Sequence, residues 1–169
     1  MVEIVTTTPV PCSMDTVSEL VWKELHNNRQ YPDKWYQTKK YVISVRNYAQ
    51  EFKLSGMQFM CRFDEPSRIV FVGADTMLIG TKGLQFSNHT WIVVTPSPTD
   101  PVRSSVVHMC VRLSVDRVEG GSTYTEDRSY AHDLVLTDLC ARFRQHSLYV
   151  QNWIVDETER LAAGMPTTL

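Results

Sequence analysis

The spacing of apolar and polar residues changes period twice along the chain. Residues 2–8, VEIVTTT, are mostly β-branched and predict a strand, which Pro9 and Pro11 end. Val17, Leu20, Val21 and Leu25 then recur at helical spacing behind Ser13 and Asp15, either of which can cap the helix. Glu19 near its start suits the helix dipole, and the helix is expected to end about Leu25. Residues 29–38, with Tyr31-Pro32 and Trp35-Tyr36, predict a turn or a short second helix.

The pattern then alternates. Strands are predicted at 40–48, 57–63, 68–73, 89–95 and 105–116. Asp64-Glu65-Pro66-Ser67 joins the second and third as a hairpin, and the Pro-rich stretch 96–101 joins the last two. Between the hairpins, 74–88 (ADTMLIGTKGLQFSN) reads as a long loop marked by Gly80 and Gly83. It carries Met77, Leu78, Ile79, Leu84 and Phe86, and so much apolar surface in a loop predicts that it folds back over something.

Gly120-Gly121-Ser122 breaks the chain before its longest helical pattern, about 133–163. Leu136, Leu139, Cys140, Phe143, Val150, Ile154 and Leu161 form its apolar stripe. Asp133, after His132, is its simplest N-cap; Gly164 and Pro166 stop it. Such a helix runs about 45 Å. Antiparallel strands on short turns followed by one long helix predict an α+β fold, with a curved sheet wrapped around that helix.

Composition narrows the function. The 169 residues fit one domain with its own core, with 43% apolar and 21% charged residues. The 17 basic and 19 acidic residues are well mixed, so no basic footprint for nucleic acid stands out. Cys12, Cys61, Cys110 and Cys140 lie far apart, which excludes CxxC redox and zinc pairs. The N-terminus lacks signal-peptide character, and a cytoplasmic setting is expected. No P-loop, dinucleotide, HExxH or GxSxG motif occurs, and no cofactor or metal is expected.

Several of these segments resemble one family. Residues 3–25 (EIVTTTPVPCSMDTVSELVWKEL) are similar to the entry strand and first helix of START-like lipid-binding domains, members of the helix-grip or SRPBCC superfamily. MQFMCRFDEPSRIVFVGA at 57–74 resembles the family's central hairpin, 89–115 its next hairpin, and DLCARFRQHSLYVQNWIVDE at 138–157 its terminal helix. The texture is closest to the START-like proteins of oomycetes. A full START domain is longer, so 1–169 is expected to be a single compact version of that domain or a piece of a longer START-containing protein. The resemblance implies a non-enzymatic lipid-binding or lipid-transfer domain. It would hold one sterol, fatty acid or phospholipid in a tunnel between sheet and helix, as a monomer with transient membrane contact, and the loop 74–88, with Met77, Leu78, Ile79, Leu84 and Phe86, would act with the terminal helix as its gate. A helix-grip enzyme of the cyclase or hydratase type and a protein-interaction module with a filled core remain open.

Within that frame, Phe59, Phe71, Trp91, Val93, Met109, Val111, Phe143, Val150 and Ile154 are candidates for the cavity wall or for ordinary core. On 105–116, Val107, Met109, Val111, Leu113 and Val115 share one face, and His108, Cys110, Arg112 and Ser114 the other. His108 and Arg112 are thus either solvated or head-group anchors. Arg62 and Glu51 are either surface residues or the interior arginine–acid pair that the resemblance implies. His146, at a gap in the helix stripe, is either a boundary histidine or a polar cavity group.

Overall fold

The structure is a computed structural model and describes residues 1–26, 36–48, 50–117 and 126–164. Strand β1 (Val2–Val10) leads into helix α1 (Met14–His26). Five strands follow: β2 (Tyr36–Arg46), β3 (Glu51–Glu65), β4 (Arg68–Ile79), β5 (Leu84–Pro96) and β6 (Ser105–Arg117). Helix α2 (Glu126–Ala162) closes the fold. The six strands form one antiparallel sheet in the order β1-β6-β5-β4-β3-β2. This is the α+β helix-grip arrangement: α2 touches both edge strands, β1 and β2, as well as β6.

Local chemistry explains the boundaries. Ser13 caps α1 through its Oγ, which accepts from the Thr16 amide at 3.3 Å, and Asp15 sits in the first turn. Asn47 closes the β2–β3 hairpin by accepting the Gln50 amide on its Oδ1 at 2.9 Å. Pro66 and Ser67 turn β3 into β4, and Arg68 bridges back to Glu65 at 2.7 Å. In the β5–β6 loop, Asp100 accepts the Arg103 amide at 3.1 Å.

The expected gate loop 74–88 is corrected here. Residues 74–79 finish β4 and 84–88 begin β5, joined by a tight turn over 80–83. Gly83 takes a φ of 57°, which a glycine adopts freely, and the Lys82 amide donates to the Ile79 carbonyl at 3.0 Å. The glycines therefore mark a hairpin. Met77, Ile79, Leu84 and Phe86 are inward-facing core residues, and only Leu78 is exposed. The strands run longer than predicted for the same reason, and 51–56, unassigned from the sequence, starts β3. Helix α2 begins at Glu126, so Asp133 lies inside it, exposed, beside His132 at 2.8 Å, and is not its cap. Residues 29–35, the break at 120–122 and Pro166 lie outside the described residues.

The helices cover the sheet's inner face in two apolar clusters. One joins Val17, Val21 and Trp22 of α1 to Phe71, Ile92, Met109 and the α2 residues Val150 and Ile154. Trp22 stacks on Phe71 with ring centroids 5.8 Å apart. The other joins Phe52, Leu54, Met77, Ile79 and Phe86 to Ala131, Val135 and Leu139 of α2. Phe143 packs against both. Each fully buried side chain of this kind contributes about 1.5–3 kcal/mol. The predicted stripe thus serves two cores, and α2, with 37 residues at about 1.5 Å each, is long enough to reach both.

Candidate functional site

Between the two clusters the inner face changes character. Successive inward positions are Phe52, Leu54, Gly56, Gln58 and Met60 on β3, and Ile69, Phe71, Gly73, Asp75, Met77 and Ile79 on β4. On β5 they are Leu84, Phe86, Asn88, Thr90, Ile92 and Val94. Each strand is apolar at both ends and polar or bare in the middle. Register aligns the middles: Lys39, Gln58, Asp75 and Asn88 are consecutive cross-strand partners.

A cavity of about 360 Å³ opens over this row. Its sheet wall is Lys39, Tyr41, Val42 and Ile43 of β2 with Gln58, Met60, Asp75, Asn88, Thr90, Ile92, Met109 and Val111; α2 supplies Phe143, His146 and Val150, and α1 supplies Glu24 and Leu25. Val42 and His146, exposed members of the lining, mark where the cavity meets solvent beside α1, α2 and β2. His146 stacks on Tyr149, whose hydroxyl donates to Glu24 at 3.4 Å, so this rim is aromatic and acidic.

Asp75 is the centre of the polar wall. It is 3% exposed, and burying a carboxylate is costly unless donors surround it. Donors do surround it: Tyr41 Oη donates to Oδ1 at 3.2 Å, and Gln58 Nε2 and Asn88 Nδ2 donate to Oδ2 at 3.2 and 2.8 Å. Asn88 Nδ2 also donates to Thr90 Oγ1 at 3.3 Å. Burial first, then the Asp75 charge and the bond to it, push the Tyr41 phenol well above its ordinary value, so it stays protonated. Asn88, 1% exposed, keeps its Oδ1 without a protein hydrogen-bond partner among the described residues.

The backbone makes room for this network. A Cβ on Gly56 would stand 2.3 Å from the Tyr41 ring, so the bare Gly56 lets the tyrosine cross from β2 to β4.

Of the wall candidates named from the sequence, Met109, Val111, Phe143 and Val150 line the cavity. Phe71 and Ile154 are buried in the adjoining cluster. Phe59, Trp91 and Val93 are corrected: they point to the outer face, with Phe59 44% exposed and Trp91 stacked on His89 under Arg112. In 57–63 both parities carry apolar residues, and only Phe52 and Leu54, farther back on β3, set which one faces inward.

The polar candidates separate likewise. Only His146 reaches the cavity. Arg62 is inward-facing but at the sheet's end, bonded to Glu19 of α1 at 2.6 Å and Asp64 at 2.7 Å, over the Phe71 ring. Its pairing with Glu51 is excluded by distance. Both lie on β3, eleven positions apart, about 36 Å along an extended strand. Glu51 instead meets Arg46 at 3.4 Å across the hairpin. His108 and Arg112 are on the outer face, where they meet Thr7 at 3.1 Å and Glu3 at 2.8 Å on the edge strand. Neither is a cavity anchor.

The residues that form the polar wall, Tyr41, Gln58, Asp75, Asn88 and Thr90, were missed. The signal was present: carrying the alternation of 68–73 through 74–79 puts Asp75 on the apolar face between Phe71 and Met77.

No family model and no curated protein matches the chain. Among solved structures it is similar to the Zhui aromatase/cyclase of Streptomyces sp. R1128. Identity is 14%, coverage is 98% of this chain and 99% of that one, and the TM-score is 0.46. Likeness at that level does not extend to the chemistry of the cavity.

Burial raises the pKa of all four thiols, leaving none activated as a nucleophile. Among the described residues no cluster of His, Cys, Asp and Glu is arranged to hold a metal, and no helix is long and apolar enough to cross a membrane.

Proposed function

We propose that the protein encloses one compact, mostly apolar small molecule in this cavity, with the molecule's polar end against the Asp75 row. The observation that carries this is the cavity itself: a volume of about 360 Å³, apolar around most of its wall, with one convergent set of buried polar groups. That combination is what orients a ligand while apolar contact supplies the affinity, at about 25 cal/mol per Å². The volume is near the low end of ligand pockets, about 300–1,000 Å³. It suits a few fused rings or a short acyl chain, and a two-chain phospholipid exceeds it.

Native mass spectrometry of the purified protein, followed by titration of the delipidated protein with fused-ring aromatics, fatty acids and sterols, tests the reading. One equivalent of a compact ligand is expected, and Val111→Trp, which fills the cavity, abolishes it. Absence of binding at micromolar concentration across the panel overturns it.

A second reading has its own observation. The buried carboxylate shares a cavity wall with a phenol held protonated, so one group can take a proton while the other bears one. On this reading the cavity is that of a cyclase-type enzyme in which Asp75 removes a proton from carbon next to a carbonyl, and the Tyr41 hydroxyl, released as the carboxylate is protonated, turns its proton to the enolate oxygen. Deuterium exchange into 2-tetralone in D2O tests it: exchange is expected with the native protein and is lost in Asp75→Asn. Equal exchange in both sinks it.

A further inference from the structure

We infer that the molecule this cavity takes is an apolar monocarboxylate, its carboxylate held at the cavity mouth by the ammonium of Lys39. This rests on the cavity being a ligand site and adds the charge and chemical class of what fills it.

Lys39 is set apart from the other lysines by its place. It faces inward on β2 as the cross-strand partner of Gln58, and it lines the cavity half-buried. Lys23, Lys40 and Lys53 are exposed, and Lys82 sits in the β4–β5 turn, outside the lining. Among the described residues Lys39 has neither a hydrogen bond nor an ion pair. A lysine drawn partly out of water is normally paired, because its charge loses hydration that something else must replace.

The other titratable groups in the lining do not fill that role. They are Glu24, Tyr41, Asp75 and His146. Asp75 takes protons from Tyr41, Gln58 and Asn88, and Glu24 takes one from Tyr149. His146 stacks on Tyr149. Asp75 stands two strands from Lys39 with Gln58 between, about 10 Å across the sheet. At that separation it repels a carboxylate beside Lys39 far less than direct contact with the ammonium attracts it.

The same register places the two ends of the ligand. Lys39 ends the polar row on the edge strand β2, where exposed Val42 marks the mouth. Four methylenes let its ammonium follow a carboxylate there while that group keeps one side in water. The apolar body then lies inward, against Ile92, Met109, Val111, Phe143 and Val150. The reverse pose would set the carboxylate deep in the wall beside the Asp75 charge.

Three probes of similar shape, titrated against the full chain by calorimetry at neutral pH, test this: 2-naphthoate, its neutral isostere 2-naphthamide, and 2-naphthol. Water holds a carboxylate more strongly than either neutral group, so a cavity without a cation prefers the neutral probes. With Lys39 at the mouth, 2-naphthoate should bind about tenfold tighter than 2-naphthamide. Lys39→Met should abolish that preference and leave the amide within about twofold, whereas Lys39→Arg, which keeps the charge, should retain it. Lys40→Met, the same loss of charge on the exposed outer face, should leave the preference intact. Should Lys39→Met fail to fold, Lys39→Gln takes its place. Equal or tighter binding of 2-naphthamide by the native protein, or a preference for 2-naphthoate that survives the loss of the Lys39 charge, overturns the carboxylate assignment while the cavity reading stands. Failure of all three to bind overturns the cavity reading and this inference with it.

Discussion

The ring of Tyr41 lies over Gly56, so close that a Cβ there would meet Cε2 at 2.3 Å and Cζ at 2.4 Å. That contact routes the phenol to Asp75, two strands away, and makes a glycine on β3 part of the cavity's polar wall. Gly56→Ala should displace the ring, break its bond to Asp75 and destabilise the fold by about 1–3 kcal/mol in urea unfolding. In a Tyr41→Ala background the same substitution should be close to neutral, because the clash has gone. A cost that persists in that background refutes the contact as its cause.

Removing Asp75 leaves its donors facing one another in an apolar surround. Asp75→Ala is expected to lower stability by about 3 kcal/mol, well beyond a cavity of that size alone. Combining it with Asn88→Ala should cost less than the sum, since the two share a bond. Additive losses in denaturant melts argue against a coupled network.

The Tyr41 phenol sits above its ordinary pKa of 10.0 when folded, and the unfolded chain restores that value. Its contribution is complete below about pH 10 and is lost as pH rises further. Native protein should lose stability more steeply than Tyr41→Phe on the alkaline side, and the two should run parallel from pH 6 to 9. Tyrosinate absorbance gives a second readout, with Tyr41 titrating only as the fold opens. Parallel curves at high pH exclude the linkage.

Arg62 and Arg112 form ion pairs outside the cavity. Arg62→Met and Arg112→Met should therefore leave the affinity for 2-naphthol within about twofold, whatever they do to stability. A tenfold loss in calorimetry for either would bring a head-group role back.

The alternation of β6 was readable directly because Val107, Met109, Val111, Leu113 and Val115 share one parity, and the first four of them are buried. The alternation of β4 and β5 was obscured where the polar wall begins. Asp75 and Asn88 interrupt the apolar parity, and the paired glycines of the hairpin turn resemble those of a long loop. Strand β3 carries methionine and phenylalanine on both faces, so its inward parity was not legible within 57–63.

The sequence by itself determined the α+β order of strands and helices and the span of the apolar stripe on the last helix. These depend on local periodicity and residue chemistry. Tertiary structure alone decided which strand faces point inward, that Arg62 pairs with Glu19 and not with Glu51, and that Tyr41, Gln58, Asp75 and Asn88 converge. Those four come from four different strands, and only the sheet register brings residues as far apart as 41 and 88 onto one carboxylate. A buried charge is tolerated only where such donors meet it, so the site becomes visible once the register is known.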